Sequence, residues 1–196
     1  MQRAMRKCRQ CRGPIPSSKD CTDPYTRGGF CDIACYGLNK AKKDKEAKDK
    51  RQRKEHAARK ESIKTLQQHV SDAQGWVNRV VVAEDRGKGC ISCTSLNVTD
   101  AGHFFHKGTK YRTAWLTLDR RNLNGQCKKC NLFKGGGNQY EYRIGYIARY
   151  GLAAFEDLEE FKRSTDRGEI PRITIDECKQ AIADSKARLK AIKTNL

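Results

Sequence analysis

Hydrophobic residues return at helical spacing after a long polar stretch in the first half of the chain. Residues 39–70 contain no glycine or proline and are rich in strong helix formers, and large apolar side chains are sparse until Ile63, Leu66 and Val70. The spacing of these three residues is that of one face of a helix. The pattern therefore predicts one long exposed helix within 37–75, whose C-terminal turns pack against another part of the protein.

Further helical patterns follow in the second half. Residues 76–86 fit either a strand or a helix, and we favour a helix that leads into the next part of the chain. Residues 139–163 predict a helix that is broken near Gly151, because glycine is a poor helix former. The apolar positions that carry this pattern are Tyr142, Ile144, Tyr146, Ile147, Tyr150, Phe155, Leu158 and Phe161.

The two ends of the chain differ in character. Residues 1–36 are rich in cysteine, glycine, proline and arginine and have no long periodic run, which indicates a small loop-rich module that burial alone cannot stabilise. Near the other end, Thr174 and Glu177 have the spacing of a capping box, in which each residue satisfies a backbone N–H of the other. They predict the start of a last helix that reaches about Ile192.

Charge narrows the class of partner. The chain of 196 residues contains 41 Lys and Arg against 23 Asp and Glu, a formal net charge of +18, and such an excess attracts polyanions. Nucleic acid is the first candidate partner and an anionic membrane surface the second. No run of 18 or more apolar residues predicts a membrane span, and the basic N-terminus lacks the apolar segment of a secretory signal. We therefore expect a cytoplasmic protein.

The basic charge is concentrated in the predicted long helix. Residues 40–61 contain eleven Lys and Arg against five Asp and Glu, a net charge of +6. A solvated single helix and a basic arm that lies along DNA phosphates both fit this composition. The sequence leaves these two interpretations open.

Ten cysteines in a cytosolic chain point to metal binding, because disulfides are disfavoured there. Cys90 and Cys93 form one C-x2-C knuckle, and Cys127 and Cys130 form another. The two knuckles can converge on one tetrahedral structural zinc. Four thiolates leave no open position for water on that ion, so any catalysis must depend on residues between or beside the knuckles.

A second structural zinc is predicted in the N-terminal module, which would give about two zinc ions per chain. Its ligands would be Cys8, Cys11, Cys31 and Cys35. The surrounding arginines favour contact with phosphate, but a purely stabilising role is equally open. Cys21 could replace one ligand. Otherwise we expect Cys21 and Cys178 to be free thiols.

Side chains suited to a single-metal nuclease lie between and beside the second pair of knuckles. His103 is a candidate general base, because imidazole changes protonation near neutral pH. Asp100 and Asn131 offer oxygen atoms to a hard divalent ion such as Mg²⁺ or Mn²⁺. A histidine beside two phenylalanines is, however, more often a packing residue than a catalyst.

These residues carry a resemblance to known nucleases. The motifs around His103, Asn122 and Asn131 resemble the zinc-knuckle form of the HNH (ββα-metal) endonucleases. More closely, the chain resembles the phage lambda NinG (Rap) recombination protein family over about residues 88–192. The matching segments are DAGH at 100–103, RN at 121–122, QCKKCN at 126–131, Asn138, YRIGYIARYG at 142–151 and DECK at 176–179.

The resemblance implies an architecture and a location. The fold would be α+β and mostly helical, with a small zinc-stapled ββα-metal core and C-terminal helices. Residues 1–36 would form an N-terminal zinc-knuckle module, residues 37–75 the charged connecting helix, and residues 76–196 the HNH-like nuclease domain. The protein would act in the cytoplasm of the host cell.

The resemblance also assigns roles to single residues. It implies that His103 is the general base, that Asn122 holds the loop which orients this histidine, and that Asn131 binds the catalytic metal. Many HNH members carry a metal ligand directly before the histidine, where this chain has Gly102. Asp100 is the substitute candidate for that ligand. His106 would either bind metal or phosphate or be an exposed loop residue.

Cationic and aromatic residues near His103 predict contacts with DNA. The cationic candidates are Lys107, Lys110, Arg112, Arg120 and Arg121. Tyr111 or Trp115 could stack on an unpaired base, although Trp115 also fits a core strand, which we favour. The glycines at 135–137 lack the signature of a phosphate-binding loop and are expected to end a short helix that begins near Cys130.

Two functions remain for this chain. The first is a structure-directed DNA endonuclease of the Holliday junction resolvase type, which the resemblance links to branched recombination DNA such as D-loops and four-way junctions. Symmetric cutting of a four-way junction needs two active sites, so we expect a homodimer. The second is a non-catalytic, zinc-dependent DNA-binding recombination mediator, which leaves the combination of His103, Asn122 and Asn131 unexplained.

Overall fold

The computed structural model describes residues 6–15, 24–106, 114–132 and 136–194. It divides into two compact units, Met1–Ile63 and Lys64–Leu196. The predicted boundaries at 36/37 and 75/76 do not coincide with this division. Most described residues are helical, and the described strands form one small antiparallel sheet. The mostly helical α+β class is therefore confirmed.

The first unit consists of a small cysteine-rich module and a long helix. A short helix, α1 (Pro24–Arg27), precedes α2 (Ile33–Ser62), which begins where the Asp32 carboxylate accepts a hydrogen bond from the backbone N–H of Cys35 at 2.7 Å. Such a cap satisfies a backbone donor that the first helical turn leaves unpaired. The buried hydrophobic residues of this module are Cys8, Ile15 and Phe30. None of the residues of α2 is buried, so its helical form rests on composition.

The single helix predicted within 37–75 is wrong, because the structure has two helices there. The first ends at Ser62, and Ile63 is 70% exposed instead of packing against another part of the protein. The next helix begins after Thr65, which forms a complete capping box with Gln68. This box satisfies backbone N–H groups that the start of a new helix leaves unpaired, so it favours a helix start at Thr65.

The described residues of the second unit form six α-helices and two strands. The helices are α3 (Leu66–Asp85), α4 (Ala114–Leu118), α5 (Lys128–Asn131), α6 (Gln139–Tyr150), α7 (Leu152–Arg167) and α8 (Ile175–Thr194). The strands are β1 (Asp100–His103) and β2 (Leu123–Gln126), paired so that His103 faces Leu123 and Asp100 faces Gln126. The order β1, β2, α5 thus places a short helix directly after the strand pair.

Two clusters of buried side chains hold this unit together. One joins the Cys90–Cys93 turn and the segment that follows β1 to α6 and α7, through Ile91, Phe104, Tyr142, Tyr146, Phe155 and Leu158. The other joins α3, α4 and α8, through Val70, Ala73, Ala114, Ile173 and Cys178. The strand pair lies beside both clusters. Phe104 of the first cluster directly follows β1, and α3, which contributes to the second cluster, contacts β1 and β2. Burial of these apolar surfaces is the main stabilising contribution.

Several local predictions are confirmed. Residues 76–86 belong to a helix, since α3 runs through them to Asp85. The helical segment at 139–163 is interrupted at Gly151, whose φ of +90° is readily adopted only by glycine. The capping box before α8 is present, since the Glu177 carboxylate accepts from the Thr174 N–H at 2.7 Å and the Thr174 hydroxyl accepts from the Glu177 N–H at 3.2 Å.

Two local predictions are wrong. Trp115 lies in the short helix α4 and not in a core strand. It is partly buried beside the second core cluster, and its indole N–H donates to the Pro171 carbonyl at 3.0 Å. The helix that begins after Cys127 ends at Asn131, with Leu132 as its C-cap, before the glycine run is reached.

Candidate functional site

The knuckles Cys90–Cys93 and Cys127–Cys130 converge as the sequence predicts. Their four sulfur atoms all lie within 4.8 Å of one another, and the Cys93 and Cys127 sulfurs are 3.7 Å apart. Cys90, Cys127 and Cys130 are buried, and Cys93 is exposed. Four sulfur donors at this spacing could hold one tetrahedral zinc ion.

The protonation properties of these thiols fit a cation site. Burial, together with hydrogen bonds to the sulfurs of Cys93 and Cys127, raises the pKa of the Cys130 thiol to about 12. The backbone N–H of Cys130 points at the Cys127 sulfur and lowers the pKa of Cys127. Four thiolates cannot all be charged at this spacing without a neutralising ion, so the cluster needs a metal to be fully deprotonated.

The first unit contains a second tetrad, formed by Cys8, Cys11, Cys31 and Cys35. The Cys31 sulfur lies 3.6 Å from that of Cys11 and 3.4 Å from that of Cys35. This arrangement could also hold zinc. Cys21 lies outside the described residues. Cys178 is buried in the cluster that joins α3, α4 and α8.

The tetrad of the second unit, formed by Cys90, Cys93, Cys127 and Cys130, fixes the strand pair. The turn at Cys90–Cys93 is tied to β2, because the Ile91 N–H donates to the Gly125 carbonyl at 2.9 Å. Cys127 caps the first turn of α5, which begins directly after β2. A metal held by both knuckles would therefore lock β1, β2 and α5 relative to one another.

A cavity of about 360 Å³ lies beside this assembly, and it brings several candidate residues together. Its walls contain His103 at the end of β1, His106 in the segment that follows and Asn131 at the end of α5. The remaining lining residues are Gln74, Asn78, Ala101, Gly136 and Gly137. An imidazole and a carboxamide thus border one space, although they are 28 positions apart in sequence.

His103 is held by the backbone of α4. One nitrogen of its ring, Nε2, lies 3.3 Å from the Thr117 carbonyl oxygen. A carbonyl accepts hydrogen bonds only, so this contact favours the tautomer with the proton on Nε2. The lone pair is then on Nδ1, and this nitrogen can accept a proton.

Asn122 connects the segment after β1 to α4. Its amide nitrogen donates to the carbonyls of Leu116 at 2.8 Å and Phe105 at 3.0 Å, and its oxygen accepts from the Phe105 N–H at 2.8 Å. The side chain is fully buried. It therefore ties the segment after His103 to α4, the helix that carries the Thr117 carbonyl, and it does not line the cavity.

Asp100 does not lie in this cavity. Residues that are two apart in a strand share a face, so Asp100 and Gly102 point away from the face of His103. The Asp100 carboxylate accepts from the Thr99 hydroxyl at 3.3 Å, and Asp100 lines a neighbouring groove. Its role as a metal ligand stays a prediction.

Two of the predicted DNA contacts are engaged within the protein. The Arg120 guanidinium contacts the carboxylates of Glu84 and Asp85 and the Leu123 carbonyl. Arg121 binds Asp119, with Nη2 2.6 Å from Oδ2, and stacks on the ring of Phe161. Their contact with DNA stays a prediction. The other cationic candidates, Lys107, Lys110 and Arg112, and also Tyr111, lie outside the described residues.

The sequence did not indicate four residues at or beside the cavity. Gln74 and Asn78 line it from α3. Gly136 has a φ of +79°, and a Cβ there would lie 2.8 Å from Cε1 of His106, so glycine is needed for this wall. Gln126 is fully buried, and its amide nitrogen donates to the Gly137 carbonyl at 2.7 Å. Helical periodicity and cysteine spacing carry no signal for such tertiary neighbours.

Among the described residues, no helix is both long and apolar enough to cross a lipid bilayer. No solved structure matches the chain. The comparison with known proteins therefore rests on sequence.

The chain matches the family model described as "Bacteriophage Lambda NinG protein" over residues 2–195. Similar proteins include the protein ninG of Salmonella phage P22, which is 35% identical over 138 residues. Those of Escherichia phage lambda and Enterobacteria phage H19B are 32% and 33% identical over 139 residues. The aligned parts cover 69–70% of this chain and 63–64% of these relatives. Because this family model matches nearly the whole length of the chain, the chain belongs to the NinG family of bacteriophage proteins.

Proposed function

We propose that the protein is a metal-dependent DNA endonuclease that hydrolyses phosphodiesters in branched phage DNA. The observation that carries this proposal is the cavity in which the imidazole of His103 and the carboxamide of Asn131 face the same space. A general base and an oxygen ligand beside one cavity are what metal-assisted hydrolysis of a phosphodiester requires. The net charge of +18 supports a polyanionic substrate.

The arrangement around the cavity supports an HNH-like core. Two antiparallel strands are followed by a short helix, His103 ends the first strand, and Asn131 ends the helix. Asn122 ties the histidine-bearing segment to α4, which is the supporting role that the resemblance implies for it. The sulfur tetrad lies at the start of α5 and would hold the core together without taking part in catalysis.

In the proposed reaction, Nδ1 of His103 accepts a proton from water while the Thr117 carbonyl holds the other ring nitrogen. The water oxygen forms a bond to phosphorus, and the bond from phosphorus to one bridging ester oxygen breaks. The leaving oxygen gains a proton from solvent and ends as a hydroxyl group. One strand of DNA is thus converted to a phosphate end and a hydroxyl end, with the charge and the atoms balanced.

The residues at the cavity fit a divalent ion. Asn131 offers a carboxamide oxygen and His106 an imidazole nitrogen, both at the cavity wall. Behind this wall, the carboxamide oxygen of Gln126 is buried, and no described residue donates a hydrogen bond to it. Carboxamide oxygens suit Mg²⁺ or Mn²⁺. Such an ion, when bound, supplies positive charge to the scissile phosphate and to the leaving oxygen.

The preference for branched DNA comes from the family resemblance. D-loops and four-way junctions are the substrates that this resemblance implies, and a four-way junction cut on both strands needs two active sites. A homodimer would supply them. The chain spans less than two thirds of the length of the relatives it matches. Both the preference for branched DNA and the homodimer are therefore part of the proposal.

A second candidate function is a zinc-dependent DNA-binding protein without catalytic activity, such as a recombination mediator. The observation that favours it is α2, which has no buried residue and carries most of the net charge of the first unit. A basic helix and two zinc-binding cysteine tetrads would be enough for DNA binding, and neither a general base nor a ligand for a catalytic metal would be needed. This alternative assigns no role to the cavity at His103.

Cleavage assays separate the two functions. Zinc-loaded protein is incubated with supercoiled plasmid, then with linear, flapped, D-loop and four-way substrates, in Mg²⁺ or Mn²⁺. Nicking that is lost in His103→Ala and kept in His56→Ala, which changes an exposed histidine of α2, supports the endonuclease. Tight DNA binding without cleavage of any substrate in either metal would refute it and support the second function.

A further inference from the structure

A second and larger cavity adjoins the one that contains His103. It has a volume of about 840 Å³ and lies between α3 and the last turns of α8. Asn78 and Ala101 line both cavities. The two spaces therefore meet at a common wall, and a ligand in the larger groove lies next to the proposed site of phosphodiester cleavage.

The groove combines an apolar floor with a cationic rim. The apolar part is formed by Val82, Ala83, Leu189 and Ile192, from the two facing helices. The charged residues are Arg79, Arg86 and Lys193 against a single carboxylate, that of Asp100. None of the three cations forms an ion pair with a carboxylate in the part of the chain that the structure describes. The net positive rim favours an anionic ligand.

Two further features indicate which chemical groups the groove would bind. The guanidinium of Arg79 lies 4.5 Å from the ring centroid of Trp76, which holds this cation at the rim. The Asn78 carboxamide oxygen, in the wall between the two cavities, is buried without a hydrogen-bond donor among the described residues. An unpaired buried acceptor is costly, so a ligand that brings an N–H group to this wall gains binding energy there.

From these features we propose that the groove binds one unpaired nucleotide next to the scissile phosphate. The base lies against the aliphatic floor, its phosphate contacts Arg86 and Lys193, and an N–H of the base reaches Asn78. A base within a duplex is stacked and paired, so it can enter such a groove only after it leaves the helix. This inference rests on the proposed endonuclease function, and it would give the enzyme a structural reason to select branch points, where unpaired nucleotides occur.

A peptide or a second copy of the chain would also find apolar contacts in this groove. The cationic rim and the shared wall with the His103 cavity favour a nucleotide over both. A volume of about 840 Å³ lies within the ordinary range for small-ligand pockets and is too small for a duplex. The other occupants are distinguished by the measurements below.

Binding of two DNAs by the full-length, zinc-loaded protein tests the proposal. One is a flapped duplex with 2-aminopurine at the unpaired position next to the branch, and the other is a nicked, fully paired duplex of the same length. Affinity is measured by fluorescence anisotropy without added Mg²⁺, so that the DNA stays intact. Base entry into the groove changes the 2-aminopurine emission.

Two variants probe the groove. Ala83→Phe fills its floor and is expected to weaken binding of the flapped DNA roughly fivefold to tenfold while leaving the paired DNA within about twofold. Lys193→Gln removes one charge from the rim, and Lys190→Gln removes one charge from the same helix outside the groove. We expect only Lys193→Gln to lower the preference for flapped DNA. This lysine pair decides the question even if Ala83→Phe does not fold.

Three results would overturn the proposal. They are equal weakening of both DNAs by Ala83→Phe, equal behaviour of the two lysine variants, and a change of oligomeric state in Ala83→Phe without a change in DNA preference. Because these are binding measurements, they are independent of cleavage. A protein that prefers flapped DNA through this groove but cuts nothing would refute the endonuclease and not the groove.

Discussion

Gly102 of β1 makes room for the carboxamide of Gln126, which reaches across from β2. A Cβ at position 102 would lie 2.5 Å from Cδ of Gln126 and closer still to its oxygen, which is nearer than such atoms ever approach. Gln126 is fully buried, and its amide nitrogen donates to the Ser92 hydroxyl and the Gly137 carbonyl, both at 2.7 Å. A cross-strand carboxamide therefore fills the space that a side chain at position 102 would need.

Gly102→Ala is expected to destabilise the protein. The added methyl group displaces the Gln126 carboxamide and strains its two hydrogen bonds, and overpacking of this kind costs about 1–3 kcal/mol. Urea unfolding followed by circular dichroism measures the effect. Gly75→Ala is the matched control, because a Cβ there meets nothing within 4 Å and the residue lies within α3. That change should stabilise the helix by about 0.5–1 kcal/mol.

A double-mutant cycle shows whether Gln126 is the cause. Gln126→Ala removes the obstructing side chain, so Gly102→Ala should cost little more in that background. Equal costs of Gly102→Ala with and without Gln126 would mean that the destabilisation arises elsewhere.

Asn122→Asp is expected to destabilise the protein although it keeps the shape of the side chain. The change replaces a donor to the Leu116 and Phe105 carbonyls with an oxygen that repels them, in a fully buried place. Such a loss typically costs about 2–4 kcal/mol. The urea midpoint measures it, with Asn97→Asp at an exposed position as the control. A midpoint equal to that of Asn97→Asp would contradict the supporting role of Asn122.

The parts of the fold that depend on local chemistry were predictable from the sequence. The two cysteine knuckles and the capping box of Thr174 follow from residues a few positions apart. Thr65 and Gln68 carry the same capping signature, but the polar composition on both sides suggested a continuous helix. The break after Ser62 was therefore missed, although its signal is present in the sequence.

The cavity was only partly predictable. His103 and Asn131 were identified by their chemistry and spacing, and the structure brings them to one space. Asn78 reaches that space because α3 packs along the strand pair, and this packing depends on side-chain fit that no periodic pattern records. Asp100 has a carboxylate near His103 in sequence, but strand alternation turns it to the other face.

Metal analysis is expected to find about two zinc ions per chain, one for each tetrad. Cys93→Ser should remove one zinc ion, and Cys11→Ser should remove the other, because the tetrads lie in separate compact units. Elemental analysis of the purified variants measures the ratio, and a chelator should unfold the wild type by removing the folding energy of both metals. Loss of both ions in either single variant would show that the two sites are coupled.

Asp85 is expected to make stability depend on pH. Its buried carboxylate accepts from the Gly125 N–H at 2.8 Å, and from Lys88 and Arg120 at 2.9 Å each. Burial alone would raise the pKa of this carboxyl, but these three partners outweigh burial and hold its pKa below the ordinary value. A carboxyl with a lowered pKa in the folded state adds stability above its unfolded pKa of about 3.9, and this stability is lost as the pH falls through the folded pKa.

Asp85→Asn keeps the shape and the acceptor for Gly125 but leaves Arg120 and Lys88 without their buried counter-ion. At pH 7 we expect the free energy of unfolding to fall by about 2–4 kcal/mol, because the loss of one partner from a buried ion pair leaves the other charge uncompensated. As the pH falls through the lowered pKa of the folded protein, the wild-type carboxyl is itself protonated, so the difference between the two proteins should shrink. Urea unfolding at pH 7 and at a series of acidic pH values measures it, with Asp157→Asn at an exposed position as the control. Zinc loss in acid affects wild type and variants alike, so a difference that stays constant or grows as the pH falls would contradict the role assigned to Asp85.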